Sequence, residues 1–140
     1  MIMKFQFDCE KKRRHVEGWN CVIYEAEDRI DLSADEYESI ASDFESNFMI
    51  YEAEIAYKRA IKRGSIKSRY LLAKLLETHG QSEEAYQWYL EGALGGNVNA
   101  IKRLSEMYRQ GTNIRKDIQR VEELEKYLLE IEDYQRRGSL

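Results

Sequence analysis

Residues 37–64 and 69–96 align without a gap at a spacing of 32 residues. Glu52-Ala53 falls on Glu84-Ala85, Tyr57 on Tyr89, Ala60 on Gly92 and Gly64 on Gly96. In the same frame Ile40 meets Leu72, Ala41 meets Ala73, Phe44 meets Leu76 and Ala56 meets Trp88. A third copy begins at Ala100, with Leu104 on Leu72 and Tyr108 on Leu76; it then runs through four extra residues, so that Val121 lies 36 residues after Ala85. A period of this length restricts a chain to stacked supersecondary units, none of which buries its apolar face alone.

Each copy reads as two amphipathic helices. The first carries apolar residues at i, i+1 and i+4, the second at i, i+3, i+4, i+7 and i+8. Local signals agree. Ser33 precedes Glu36 by three residues as a capping box, with Leu32 and Tyr37 spaced as a hydrophobic staple. Ser82 and Asp117 are expected N-caps of the second helices in copies two and three. Gly64, Gly80, Gly96 and Gly111 stand where helices end on a left-handed residue. The expected helices are 34–47, 49–63, 66–79, 83–94, 98–110 and 117–136. Proline is absent from all 140 residues, which favours helix over irregular structure.

The small residues mark the contacts between units. A glycine inside a helix is unfavourable by about 1 kcal/mol relative to alanine, so Gly92 needs an offsetting gain. Ala53, Ala60, Ala85, Gly92 and Ala93 let the second helix of one copy approach the first helix of the next, with Tyr57, Trp88 and Tyr89 filling the space beside them. Val121, Leu128 and Leu129 replace the small residues in copy three, as expected of a terminal helix with no successor.

These residues resemble the Sel-1-like repeat, a relative of the tetratricopeptide repeat. In copy three the matching positions are Ala100, Leu104-Ser105, Tyr108, Gly111, Ile114, Asp117 and Val121. In copy two they are Ala85, Trp88, Tyr89, Gly92, Ala93 and Gly96. The resemblance covers about residues 35–130. Copies one and two lack the glycine–aliphatic–aspartate loop and fit a plain tetratricopeptide hairpin equally. The resemblance implies an α-solenoid that binds other proteins, with no catalytic activity.

The expected architecture is therefore all-α: a short α-solenoid of about three helix-turn-helix repeats over residues 34–136. Residues 1–33 form an N-terminal cap, and residues 137–140 are a tail or cloning scar. Phe5, Phe7 and Cys9 alternate with Lys4, Gln6 and Asp8, and "WNCVIY" (19–24) is rich in strand formers, so the cap is expected as a β-hairpin. An irregular or helical arm is the alternative.

Signals for chemistry are weak. Cys9, His15 and Cys21 have no close zinc-ligand spacing, and two cysteines are too few for a disulfide scaffold. In a hairpin Cys9 and Cys21 would be cross-strand neighbours able to pair on oxidation. His79 beside Gly80 suits a helix C-terminus. No nucleophile–base set or phosphate loop is visible, so the expectation is a non-enzyme without cofactor or metal. With no apolar run long enough for a membrane span and no signal peptide, a cytoplasmic location is expected.

Charge is arranged in blocks. Between Ile55 and Leu76 stand Lys58, Arg59, Lys62, Arg63, Lys67, Arg69 and Lys74 with no acid, whereas 25–54 and 122–133 are acidic. Lys58, Arg59, Lys62 and Arg63 share one helix face, a possible nucleic-acid patch, but a pI near 5.4 and the acidic flanks oppose phosphates, so no nucleic acid is expected. The first helices of a stacked array line its concave wall. That makes Arg69, Tyr70, Lys74, Glu77, Lys102, Arg103, Glu106 and Arg109 the expected contacts with a protein partner, the protein itself being a monomer or weak dimer. An adaptor and a bacterial immunity or antitoxin-type protein that occludes a toxin both suit this pattern.

Overall fold

The computed structural model describes residues 32–111 and 114–138. The expected N-terminal hairpin, with Cys9, His15 and Cys21, lies outside the described residues. Among the described residues the chain is all-helical, with six helices: α1 (Ala34–Ser46), α2 (Ile50–Lys62), α3 (Lys67–Thr78), α4 (Ser82–Leu94), α5 (Val98–Gln110) and α6 (Ile118–Gly138). Each boundary falls within two residues of its expected place. The chain divides into two compact units, residues 1–68 and 69–140.

In the first unit α1 packs on α2. The apolar stripes Tyr37, Ile40, Ala41, Phe44 and Ala53, Ala56, Tyr57, Ala60 are all buried, as helical spacing requires. Each large side chain so buried contributes roughly 1.5–3 kcal/mol relative to exposure. In the second unit α5 packs against both α4 and α6. Its core holds Leu72, Leu76, Tyr89, Ile101, Leu104 and Met107, with Val121 from α6.

The repeat governs the helix ends as well as the core. Ser33, Ser65 and Asn97 follow one another at the 32-residue period. Their side chains accept from the backbone N–H three residues on: Glu36 at 3.2 Å, Ser68 at 3.0 Å and Ala100 at 2.9 Å. Ser33 completes a capping box with Glu36. The helix exits repeat too. Met49 N–H donates to Phe44 O and Gln81 N–H to Leu76 O, both at 2.9 Å; Ser65 N–H donates to Ala60 O at 3.1 Å and Asn97 N–H to Gly92 O at 2.9 Å. This six-residue closure requires a left-handed residue just past the helix. Gly64, Gly80 and Gly96 supply it; in the first repeat the position of Gly80 is held by Phe48, at φ 60°.

One expected cap is corrected. Ser82 is the first residue of α4, and Gln81 stands at the cap without a side-chain bond. The cause is the closure just described: Gln81 N–H turns back onto α3, so the chain enters α4 one residue earlier than a serine cap would allow. Asp117 does cap α6, its Oδ1 accepting from Arg120 N–H at 3.2 Å. Gly92 behaves as the period demands. A Cβ there would stand 3.0 Å from Cβ of Ala100, so the glycine marks the close approach of α4 to α5.

Candidate partner-binding surface

Burial divides α3 and α5 cleanly. On α3, Leu72, Ala73, Leu75 and Leu76 face the core, leaving Arg69, Tyr70, Lys74 and Glu77. On α5, Ala100, Ile101, Leu104, Ser105 and Met107 are buried, leaving Lys102, Arg103, Glu106 and Arg109. All eight expected contact residues thus lie off the core, and the structure sorts seven of them, all but Arg69, into three groups.

The first group is a clamp. The Arg103 guanidinium grips the Glu77 carboxylate through two parallel bonds, Nε to Oε1 at 3.1 Å and Nη2 to Oε2 at 2.7 Å. Glu106 meets Nη1 of the same guanidinium at 3.2 Å. The Tyr89 hydroxyl donates to Glu77 Oε1 at 3.1 Å, and the Tyr70 ring lies 6.0 Å from the Tyr89 ring. The forked geometry makes these charge-assisted bonds strong and directional. Hydrogen bonding to Glu77 raises the Arg103 pKa, and burial, followed by the Glu77 charge, raises that of Tyr89. Both therefore hold their protons throughout the physiological range. The clamp ties α3, α4 and α5 together, and its two carboxylates against one guanidinium leave one net negative charge.

Arg109 forms the second group, paired with Glu125 of α6. The third group is Lys74 and Lys102, both exposed and without an ion pair among the described residues. Lys74 stands one turn before Glu77 on α3, and Lys102 precedes Arg103 on α5. Arg69 is half-buried, and its Nε has no hydrogen-bond partner among the described residues.

The central basic patch is engaged within its own unit. Lys58 pairs with Glu54 at 2.8 Å, Arg59 and Arg63 lie over the Tyr37 ring at 6.0 and 5.5 Å, and Arg63 donates to Leu32 O at 2.6 Å. None of the four cations, Lys62 included, is free. His79 Nδ1–H donates to Leu75 O at 2.8 Å, as suits a helix C-terminus. Among the described residues no group of three His, Cys, Asp or Glu side chains is placed to hold a metal ion.

One periodic feature escaped the sequence reading. Glu45 and Glu77 are 32 residues apart, as are Tyr57 and Tyr89, and Tyr57 donates to Glu45 Oε1 at 2.9 Å as Tyr89 does to Glu77. In the third repeat the corresponding positions, 32 and 36 residues on, are Arg109 and Glu125, which form an ion pair instead. The same two positions bond the two helices of every repeat. The signal was present in the alignment as Glu45 over Glu77.

No family model matches the chain, and no solved structure matches it. A similarity exists to chitin synthase regulatory factor 4 of Schizosaccharomyces pombe, 36% identical over 53 residues. That stretch is 38% of this chain, and the chain spans only 8% of the length of that protein. No helix among the described residues is long and apolar enough to cross a membrane.

Proposed function

We propose that the protein is a non-enzymatic interaction module of the Sel-1-like, tetratricopeptide type, which docks an acidic segment of a protein partner on the first-helix face of repeats two and three. The observation that carries this reading is the pair Lys74 and Lys102, both exposed, on two of the helices that the clamp joins. Such charges steer a complementary partner and set its register more than they add affinity. The short likeness to a regulatory factor agrees with a regulatory role. The engagement of Lys58, Arg59 and Arg63 by neighbouring groups favours a protein partner over nucleic acid.

The test begins with a partner captured by crosslinking from the native cell and identified by mass spectrometry. The double change Lys74→Glu plus Lys102→Glu should slow its association at least about tenfold, since steering acts on the on-rate. Helicity and melting point should stay nearly constant. The control, Lys58→Glu plus Lys62→Glu, should leave association within about twofold of the original. If the control pair abolishes binding and the Lys74/Lys102 pair does not, the proposed surface is wrong.

A further inference from the structure

The third repeat differs from the others in the link between its helices. Three residues join α1 to α2 and α3 to α4, whereas seven, residues 111–117, join α5 to α6. The described part of this link is pinned at three points. A Cβ at Gly111 (φ 71°) would stand 3.1 Å from Cβ of Lys116 and 3.4 Å from its backbone nitrogen, so glycine lets the link fold back onto the end of α5 without strain or crowding. Asp117 N–H donates to Tyr108 O at 3.0 Å, and Asp117 Oδ1 caps α6 through Arg120 N–H.

The described part of the link borders an open pocket of about 630 Å³ lined chiefly by Tyr86, Tyr108, Arg115, Lys116, Asp117 and Arg120. The two tyrosine hydroxyls are 2.5 Å apart, with their rings edge to face at 6.2 Å. Their mutual bond uses one of two hydroxyl protons, so one O–H remains to donate. Burial, then the bond to Tyr86, pushes Tyr108 up to about 12, which keeps that proton in place at neutral pH. Arg115 and Lys116 are exposed and have no ion pair among the described residues; Arg120 reaches Glu123 only at 3.9 Å. Three cations against one carboxylate leave the pocket with a net charge of two positive units.

We propose that this pocket binds a phosphate monoester. A dianion matches the net charge, which a single carboxylate or sulfate ester would leave half compensated. Two guanidinium forks suit the paired oxygens of a phosphoryl group, and the tyrosine and lysine serve the third. The volume is that of a site for a small ligand or one side chain. The ester belongs either to a phosphorylated side chain or to a free small molecule. The site shares no residue with the Lys74/Lys102 surface, so either assignment can fail without the other.

The test is calorimetric titration of the full chain with phenyl phosphate, and with phenyl sulfate as a partner of similar shape and one charge fewer. Phenyl phosphate should bind at least about tenfold tighter at pH 7.5, and its affinity should fall below pH ~6, where the dianion takes up a proton and becomes a monoanion. Arg115→Ser and Arg120→Ser should each weaken it roughly tenfold, as the loss of a charge-assisted pair does. Lys74→Ser should change nothing. Both arginines are exposed, and an unchanged far-ultraviolet spectrum shows that the fold persists. A phosphotyrosine peptide that binds more tightly than phenyl phosphate identifies the source as a phosphorylated chain; equal affinity identifies a free ester. Equal binding of sulfate and phosphate, no saturation of either, or full affinity in the Arg115→Ser/Arg120→Ser double variant overturns the proposal.

Discussion

Phe48 occupies the position that glycine holds in the second repeat, and replacing it with glycine should stabilise the protein. The residue sits at φ 60° just past α1, where Met49 N–H closes onto Phe44 O. An L-residue in this conformation is disfavoured by roughly 1–2 kcal/mol. The ring is 87% exposed, so its removal sacrifices almost no burial. Against the gain stands the larger backbone freedom that glycine brings to the unfolded chain, about 0.5–1 kcal/mol. The balance for Phe48→Gly is a stabilisation of about 0.5–1 kcal/mol, or roughly 2 °C in Tm for a chain of this size. Phe48→Ala keeps the strained conformation and should leave stability nearly unchanged. The mirror experiment is Gly80→Ala, at φ 83°, where an added Cβ meets no atom within 4 Å. Any loss there is conformational, and it should reach about 1 kcal/mol. Urea unfolding followed by circular dichroism measures all three, with the slope m unchanged so that the midpoint reports stability alone. If Phe48→Gly lowers the midpoint while Gly80→Ala leaves it unmoved, strain at this repeat position is not the controlling term.

Gly92→Leu should destabilise by at least roughly 1–3 kcal/mol despite its better helix propensity, because a Cβ alone would already stand 3.0 Å from Ala100; thermal melting decides it, and a raised Tm would remove the close approach from the account. Alkaline titration should show stability falling as pH rises from about 10 towards 12: Tyr108 is pushed up to about 12 in the fold, so the stability it confers is complete below its unfolded pKa of 10.0 and is lost through that window. Tyr108→Phe should flatten the decline, measured by urea midpoints at pH 8, 10 and 11.

The fold was legible because a repeat states its rules more than once. The stripe Ile40/Leu72/Leu104 and the small residues Ala60 and Gly92 each carry a periodic signal that one isolated helix would give only once. The glycines at 64, 80 and 96 fix the helix ends in the same way. Ser82 misled because cap propensity is a local preference, whereas the backbone closure from Gln81 to Leu76 is set by the hairpin. Phe48 could not be read as a left-handed residue from its identity. It could have been read from its register, since Gly80 stands at the same place one repeat on.

The surface was harder to read, for a physical reason. Charged side chains on a helix face look alike in sequence whether they meet water or one another, and long-range pairing separates the two cases. Glu77 and Arg103 are 26 residues apart, and nothing in either helix alone shows that one grips the other. What the sequence does contain is the pairing of equivalent positions. Tyr57 with Glu45, Tyr89 with Glu77 and Arg109 with Glu125 are three solutions to one geometric demand, that the two helices of a repeat be bonded at the same height. The first two use a neutral donor, a tyrosine buried between the helices, where a charged side chain in its place would carry a large desolvation penalty. The third lies at exposed positions on α5 and α6, where an ion pair loses little hydration. The chemistry of the bond changes with burial while its position in the repeat does not. A charge that fits this periodic slot belongs to the fold. Lys74 and Lys102 fall outside it, and for that reason the proposed docking surface is drawn through them.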